Sequence, residues 1–113
     1  MRKKPFKLAA SEIQRLIPKM GACYASDRIT VDGVRVGYMY REEPDFPEDS
    51  GWRFFAGDES DVYMDNADNH GLYDVNTIAN YDREIIPLLE SPPGTAFMLD
   101  ADTGRLVTDR GPA

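Results

Sequence analysis

The sequence predicts one α+β domain, a twisted and mostly antiparallel sheet with short helices packed on it. Its 113 residues, 42% of them hydrophobic, suit a single core of ordinary size. Several short segments alternate apolar and polar residues with the period of two that is typical of strands, and turn residues separate them. We place a basic N-terminal tail with a short helix at 1–19, the folded domain at 20–108 and a frayed C-terminus at 109–113.

The N-terminal tail is basic, because residues 2–19 hold six of the 13 basic side chains and one acidic residue, Glu12. Apolar residues between 8 and 17 recur at roughly helical spacing, which predicts a short helix with Ser11 as its N-cap. The tail is either a solvated extension with one docking helix or a recognition element. Its apolar run is too short for a signal peptide, and other apolar stretches are too short to span a membrane.

The first predicted strands are Ala22–Ser26, which is short and apolar, and residues 34–41, which alternate with period two. Gly37, between large neighbours, predicts a bulge or the close approach of another backbone. Residues 42–51 carry two prolines and five carboxylates and predict a loop. Residues 51–57 have aromatic side chains on both faces, which predicts a central strand covered from both sides.

The second half of the chain predicts short helices and then a hairpin. One helical turn is expected within 58–64, and 65–71 is a connection rich in Asn and Asp. Asp74 and Asp82 are the predicted N-caps of two short helices, and Pro87 breaks the second. A closing hairpin is predicted with strands at 95–99 and 105–108.

Motifs for covalent catalysis, nucleotide binding and metal binding are missing from the sequence. It lacks Gly-x-Ser-x-Gly, Gly-x-Gly-x-x-Gly and the Walker phosphate-binding pattern. The only imidazole, His70, lies in a polar turn, and the only cysteine, Cys23, lies in an apolar strand. Stretches beginning at Asn66 and Asp100 resemble calcium loops but lack the glutamate required at the twelfth position. We therefore predict no catalytic residue, no cofactor and no metal site, with a divalent ion held by clustered carboxylates as the alternative.

We name residues 42–68 the acidic segment, because they contain ten of the 20 acidic residues and one basic side chain, Arg53. Such a segment is either a solvated face or a surface that steers and holds a basic protein partner, with aromatic anchors. If the segment is a recognition surface, Arg41 and Arg53 are internal counter-charges that position its acids. The alternative is that both form ordinary cross-strand pairs. The predicted partner-binding residues are Asp45, Phe46, Glu48, Asp49, Trp52, Asp58, Glu59, Asp61 and Tyr63.

The overall charge narrows the class of partner. The net charge of −7 disfavours sequence-independent binding to nucleic acid, and no segment suits a membrane. A single cysteine rules out an internal disulfide framework and suits a reducing compartment, so we expect a cytoplasmic location. The sequence therefore predicts a protein partner.

Several stretches resemble one bacterial family. The most specific is Asp49-Ser-Gly-Trp-Arg-Phe-Phe-Ala-Gly-Asp-Glu59, with Cys23-Tyr-Ala-Ser-Asp-Arg-Ile29 and Val36-Gly-Tyr-Met-Tyr-Arg-Glu-Glu43 before it. Residues 20 to 108 are similar to the bacterial domain of unknown function family 2185, also described as the immunity protein 33-like domain. The resemblance implies neutralisation of a toxin by tight binding, and it supplies no catalytic residue. Toxins that act on nucleic acids are typically basic, so a basic toxin is compatible with the acidic segment.

We therefore predict a non-catalytic bacterial immunity protein that masks the surface of its toxin with the acidic, aromatic-containing segment. Two alternatives come from other functional classes. One is a small-ligand or metal-binding, enzyme-like domain that uses the clustered carboxylates. The other is an accessory structural domain.

Overall fold

Six strands form one mixed sheet in the computed structural model, which describes residues 4–109. The strands are β1 Ala22–Ser26, β2 Tyr38–Arg41, β3 Asp49–Phe55, β4 His70–Asp74, β5 Ala96–Leu99 and β6 Leu106–Asp109. Their order across the sheet is β4-β1-β3-β2-β5-β6. β1 and β3 run parallel, whereas the other four neighbouring pairs are antiparallel. The predicted α+β domain with a mostly antiparallel sheet is confirmed.

The helices are short, and side chains cap several of them. They are α1 Asp27–Thr30, α2 Asp61–Asp65 and α3 Val75–Tyr81, with 3-10 helices at Ala10–Glu12, Ala67–Asn69 and Arg83–Leu88. The carboxylate of Asp74 accepts a hydrogen bond from the N–H of Asn76, and that of Asp82 accepts one from Glu84, so both predicted N-caps are confirmed. Pro87 lies in the last 3-10 helix, as expected for a broken helix. None of the described helices is both long enough and apolar enough to cross a lipid bilayer.

The two faces of the sheet differ in what covers them. Cross-strand pairing places Ala25, Phe54, Met39 and Phe97 on one face, where they are buried with apolar side chains of α1, α3 and the last 3-10 helix. The largest fully buried side chains on this helix-covered side are Trp52, Phe54, Ile29, Met39, Ile78 and Ile85. The same pairing places Tyr24, Arg53 and Tyr40 on the opposite face. We call this second side the open face.

β3 is the central strand that the aromatic pattern predicted. It lies between β1 and β2, and six of its seven residues are buried. At its end the backbone approaches Gly37, where an added Cβ would lie 1.9 Å from the carbonyl oxygen of Ala56. The predicted close approach at Gly37 is therefore confirmed.

The helix predicted within residues 8–17 is wrong. Only Ala10–Glu12 form a 3-10 turn, in which Ser11 is an internal residue and not the N-cap. Further along, the side-chain oxygen of Asn76 accepts a hydrogen bond of 3.2 Å from the backbone N–H of Ile17. This tertiary contact satisfies a backbone donor that the local pattern assigned to a helix.

Other boundaries differ from the prediction for similar reasons. β2 begins at Tyr38 and not at residue 34, because the N–H of Val36 donates to the carboxylate of Asp82 at 3.0 Å. β4 was not predicted, since its sequence lacks the apolar alternation of a strand. The sheet extends to Asp109, which the sequence placed in the frayed end. The rest of that predicted end, residues 110–113, and residues 1–3 of the tail lie outside the described residues.

Candidate protein-binding surface

Two of the predicted partner-binding residues, Trp52 and Asp49, are buried and cannot contact a partner. The Trp52 ring stacks on Phe54 with ring centres 5.9 Å apart, and its Nε1 donates to the carbonyl of Leu89 at 3.1 Å. The Trp52 side chain lies on the helix-covered side of β3 and fills the core. The assignment of Trp52 and Asp49 to the binding surface is therefore wrong.

Asp49 belongs to a buried ion cluster centred on Arg53, which is 4% exposed. The guanidinium donates to both oxygens of Asp49 at 2.9 and 2.8 Å and to Glu42 at 2.7 Å, and it lies 3.5 Å from Asp45. It also covers the ring of Tyr24, 4.8 Å from the ring centre. Hydrogen bonds from Arg53 hold the pKa of the Asp49 carboxyl far below its usual range. Arg53 is therefore the internal counter-charge that the sequence predicted.

Arg41 has a different role from the one proposed for it. Its guanidinium donates to the backbone carbonyls of Ser50 at 2.8 Å and Ser91 at 2.9 Å, and it lies 5.7 Å from the centre of the Trp52 ring. It forms no ion pair with the acidic segment within the described residues. The counter-charge interpretation of Arg41 is wrong, because its donors hold backbone carbonyls together.

The loop of residues 42–48 is held rigidly against β3. The N–H of Asp45 donates to the Asp49 carboxylate at 2.9 Å, and the N–H of Glu42 donates to the carbonyl of Gly51 at 3.0 Å. Gly51 adopts a φ of +90°, and an added Cβ there would lie 2.2 Å from the Glu42 carbonyl oxygen. These contacts fix the loop so that the side chains of Asp45 and Glu48 are exposed and that of Phe46 is half-buried.

The acids that follow β3 are partly committed to contacts within the chain. The Asp58 carboxylate accepts two hydrogen bonds from Arg28, at 3.2 and 2.8 Å. Glu59 accepts from the backbone N–H groups of Ala56 and Gly57 at 2.8 and 2.9 Å. Burial raises the pKa of Glu59, but these hydrogen bonds and one from Ser26 outweigh burial and lower it.

α2 is an exposed part of the acidic segment. Asp61 and Asp65 lie at its two ends and are exposed, and Val62 between them is 82% exposed. Tyr63 anchors the helix, since its ring packs edge-on against His70 with centres 6.1 Å apart. α2 is therefore a short acidic projection with an apolar tip.

Aromatic rings connect α2 to the middle of the open face. His70 meets Phe55 at 6.2 Å between ring centres, Phe55 stacks on Tyr40 at 6.0 Å, and Tyr40 lies 5.9 Å from Tyr38. These contacts continue the Tyr63–His70 contact and place five rings in one series. The open face and the acidic segment are thus one continuous surface.

Exposed apolar side chains extend this surface to both edges of the sheet. Leu72 on β4 is 52% exposed, Met98 on β5 is 44% exposed and Val107 on β6 is 38% exposed. Cross-strand register places Leu72 beside Tyr24, and Met98 beside both Tyr38 and Val107. We call this set the tyrosine face, and its members are Tyr24, Tyr38, Tyr40, Phe55, Leu72, Met98 and Val107.

Sequence reasoning missed the tyrosine face. The available signal was that large side chains occupy both the odd and the even positions of the strands, which predicts that both faces of the sheet are apolar. Neither the uncovered side of the sheet nor the register that joins β4 to β6 follows from a local pattern. The pairing of Tyr38 with Met98 joins residues far apart in the chain.

The side chains suited to covalent or metal chemistry are not assembled in the part of the chain that the structure describes. Cys23 is fully buried, and burial raises the pKa of its thiol. Nε2 of His70 lies 3.2 Å from the carbonyl oxygen of Met64. Residues 4–109 contain no group of three or more His, Cys, Asp or Glu side chains placed to hold a metal ion. The arrangement instead offers a rigid surface of rings and carboxylates.

Comparison with known proteins identifies the family. No curated protein and no solved structure matches the chain. The immunity protein Imm33 domain matches residues 23–109, which include the whole sheet except Ala22, the first residue of β1. The match covers most of the chain, so the chain belongs to the Imm33 immunity protein family.

Proposed function

We propose that the chain is a non-catalytic bacterial immunity protein that neutralises a basic toxin by binding it with the acidic segment. The observation that carries the proposal is the Imm33 match over residues 23–109. Immunity by binding needs a preformed surface and no reactive group. In the proposal the chain acts in the cytoplasm, where a lone reduced cysteine is stable, and its partner is neither nucleic acid nor a membrane.

The exposed acids support a basic partner. Arg53 and Arg28 are satisfied by carboxylates of the chain itself, so they add little positive charge to the surface. Five other acids of the acidic segment are exposed and form no ion pair among the described residues: Glu43, Glu48, Asp61, Asp65 and Asp68. Clustered charges of one sign accelerate the association of a partner of opposite charge.

Co-expression tests the function itself. Each polypeptide encoded beside the chain is expressed alone and together with it in a bacterial host. We expect one of them to stop growth alone, and growth to return when the chain is present. If no neighbour is toxic, or if the chain rescues none, the immunity proposal is wrong.

A charge comparison tests the role of the acidic segment. The variant Asp61→Asn with Asp65→Asn removes two charges from α2, and the control Glu90→Gln with Asp102→Asn removes two exposed charges elsewhere. The rate at which each variant associates with the toxin found by co-expression is measured by stopped-flow fluorescence at low and high salt. We expect the α2 variant to associate several-fold more slowly at low salt and with a weaker salt dependence than the control. Equal rates for the two variants would exclude α2 as the steering element.

A further inference from the structure

The tyrosine face is a partly exposed, mostly apolar sheet surface with carboxylates at its margins. Among its members, Leu72, Met98 and Val107 are 52%, 44% and 38% exposed, which is high for large apolar side chains in strands. Its rings are fixed by contacts with one another, as in the stack of Tyr40 on Phe55. These rings are half-buried, so each presents part of its surface to a partner. Aromatic groups held in place in this way lose little entropy on binding and are enriched among residues that dominate binding energy.

The electrostatic surroundings of these rings favour a cationic partner. Burial raises the pKa values of the Tyr40 and Tyr38 phenols, and the charges of Glu42 and Asp109, respectively, raise them further. Arg53, on this face, is surrounded by three carboxylates, those of Asp49, Glu42 and Asp45, so the cluster carries an excess of negative charge. Rings flanked by carboxylates attract guanidinium and ammonium groups, which stack on the ring and pair with the acid.

A shallow depression at the end of the face offers a place for one such side chain. It measures about 450 Å³ and is lined by Tyr38, Phe55 and Met98, with Asp58 at its edge. The walls are apolar and aromatic, and the Asp58 carboxylate is already paired with Arg28. The apolar stem of a long basic side chain matches these walls, with its charged head left at the rim of the depression.

We propose that the tyrosine face is the centre of the toxin interface and binds a protein surface that presents arginine or lysine side chains. The inference rests on the proposed function and deepens it. The acidic segment accelerates the encounter, whereas the tyrosine face supplies the contacts that hold the complex. The continuity of the five rings from Tyr63 to Tyr38 joins the two parts of the interface.

Aromatic truncation distinguishes the two parts. Tyr38→Ala removes a ring from the tyrosine face, and the control Phe6→Ala removes a ring that is 41% exposed beside Tyr73, on the helix-covered side. Both changes leave the charge unaltered. With the toxin identified by co-expression, we expect Tyr38→Ala to raise Kd by about tenfold or more, through faster dissociation, and Phe6→Ala to change it less than about twofold.

Met98→Arg keeps the test decisive if Tyr38→Ala fails to fold, because an exposed residue tolerates the change and adds a charge that repels a basic partner. Thermal melts verify folding. Toxin binding equal to that of the unaltered chain in folded Tyr38→Ala and Met98→Arg would overturn the inference and leave the proposed function standing.

Sedimentation of the free chain tests whether a second copy of the chain occupies the tyrosine face instead. If the free chain is a dimer, and Met98→Arg makes it a monomer without loss of toxin binding, the face belongs to the dimer and the inference is overturned. A chain that binds no neighbouring toxin would overturn both proposals.

Discussion

Arg53 shows how one residue organises the surface around it. Its guanidinium is buried in the sheet and holds carboxylates from β3 and from the loop that precedes it. A buried charge is tolerated only when partners and hydrogen bonds compensate for lost hydration, and Asp49 supplies both. The acidic loop is consequently part of the folded core at one end and exposed at the other.

Replacing Arg53 tests this arrangement. Arg53→Met leaves the Asp49 carboxylate buried without its partner, so we expect the free energy of unfolding to fall by about 3 kcal/mol. Urea denaturation measures the change. The control Arg28→Met removes an exposed guanidinium from Asp32 and Asp58 and should lower stability far less. Equal losses for the two variants would show that burial of the Arg53 cluster contributes nothing.

The low pKa of Asp49 predicts a pH dependence of stability. The folded state lowers this pKa, so its contribution is fully present above the unfolded value of about 3.9 and is lost as pH falls toward the folded value. We expect the free energy of unfolding to decrease below about pH 5, and Asp49→Asn to decrease less steeply over the same range. Urea titrations at a series of pH values measure both slopes. If the unfolding free energies of the unaltered chain and of Asp49→Asn fall in parallel with pH, the lowered pKa of Asp49 is not the cause of the pH dependence.

At the scale of elements, β3 and its neighbours decide which side chains are exposed. Six of the seven residues of β3 are buried; Trp52 lies in the core, whereas the half-buried Phe55 joins the open face. The aromatic pattern of 51–57 predicted a central strand, and Asp74 and Asp82 predicted the starts of two helices. β4 and the late start of β2 escaped prediction, because pairing partners and the Asp82 carboxylate fix them. Local patterns do not encode contacts between distant segments.

Gly37 links β2 to the end of β3 and predicts a strong effect of a small change. Gly37→Ala places a methyl group against the backbone oxygen of Ala56, which cannot move as a flexible side chain does. We expect a loss of about 3 kcal/mol in the free energy of unfolding. Gly94→Ala is the control, since it has a φ of +95° but nothing within 4 Å of the added Cβ, and should cost about 1 kcal/mol. A smaller loss at Gly37 than at Gly94 would contradict the close approach.

At the scale of the whole molecule, the net charge of −7 conceals two different surfaces. The helix-covered side receives the N-terminal segment, whose Ile17 is buried in the core. The other side carries the tyrosine face and joins the acidic segment through Phe55 and His70. The sequence predicted the acidic segment but assigned Trp52 to the wrong side, because composition alone does not distinguish the two faces of a central strand. The family match supplies the functional class, and the geometry supplies the surface proposed for it.

The methionines make the central claim measurable in one experiment. Met98 lies on the tyrosine face and Met64 on α2, and they are 44% and 40% exposed. Met20 is partly buried and lines a groove with Ile17 and Pro87 on the helix-covered side, so it serves as the internal control. Mild peroxide oxidation followed by mass spectrometry compares the free chain with its toxin complex.

The account predicts that the toxin slows oxidation of Met64 and Met98 severalfold and leaves Met20 unchanged. Protection of Met20, with Met64 and Met98 oxidised as fast in the complex as in the free chain, would contradict it.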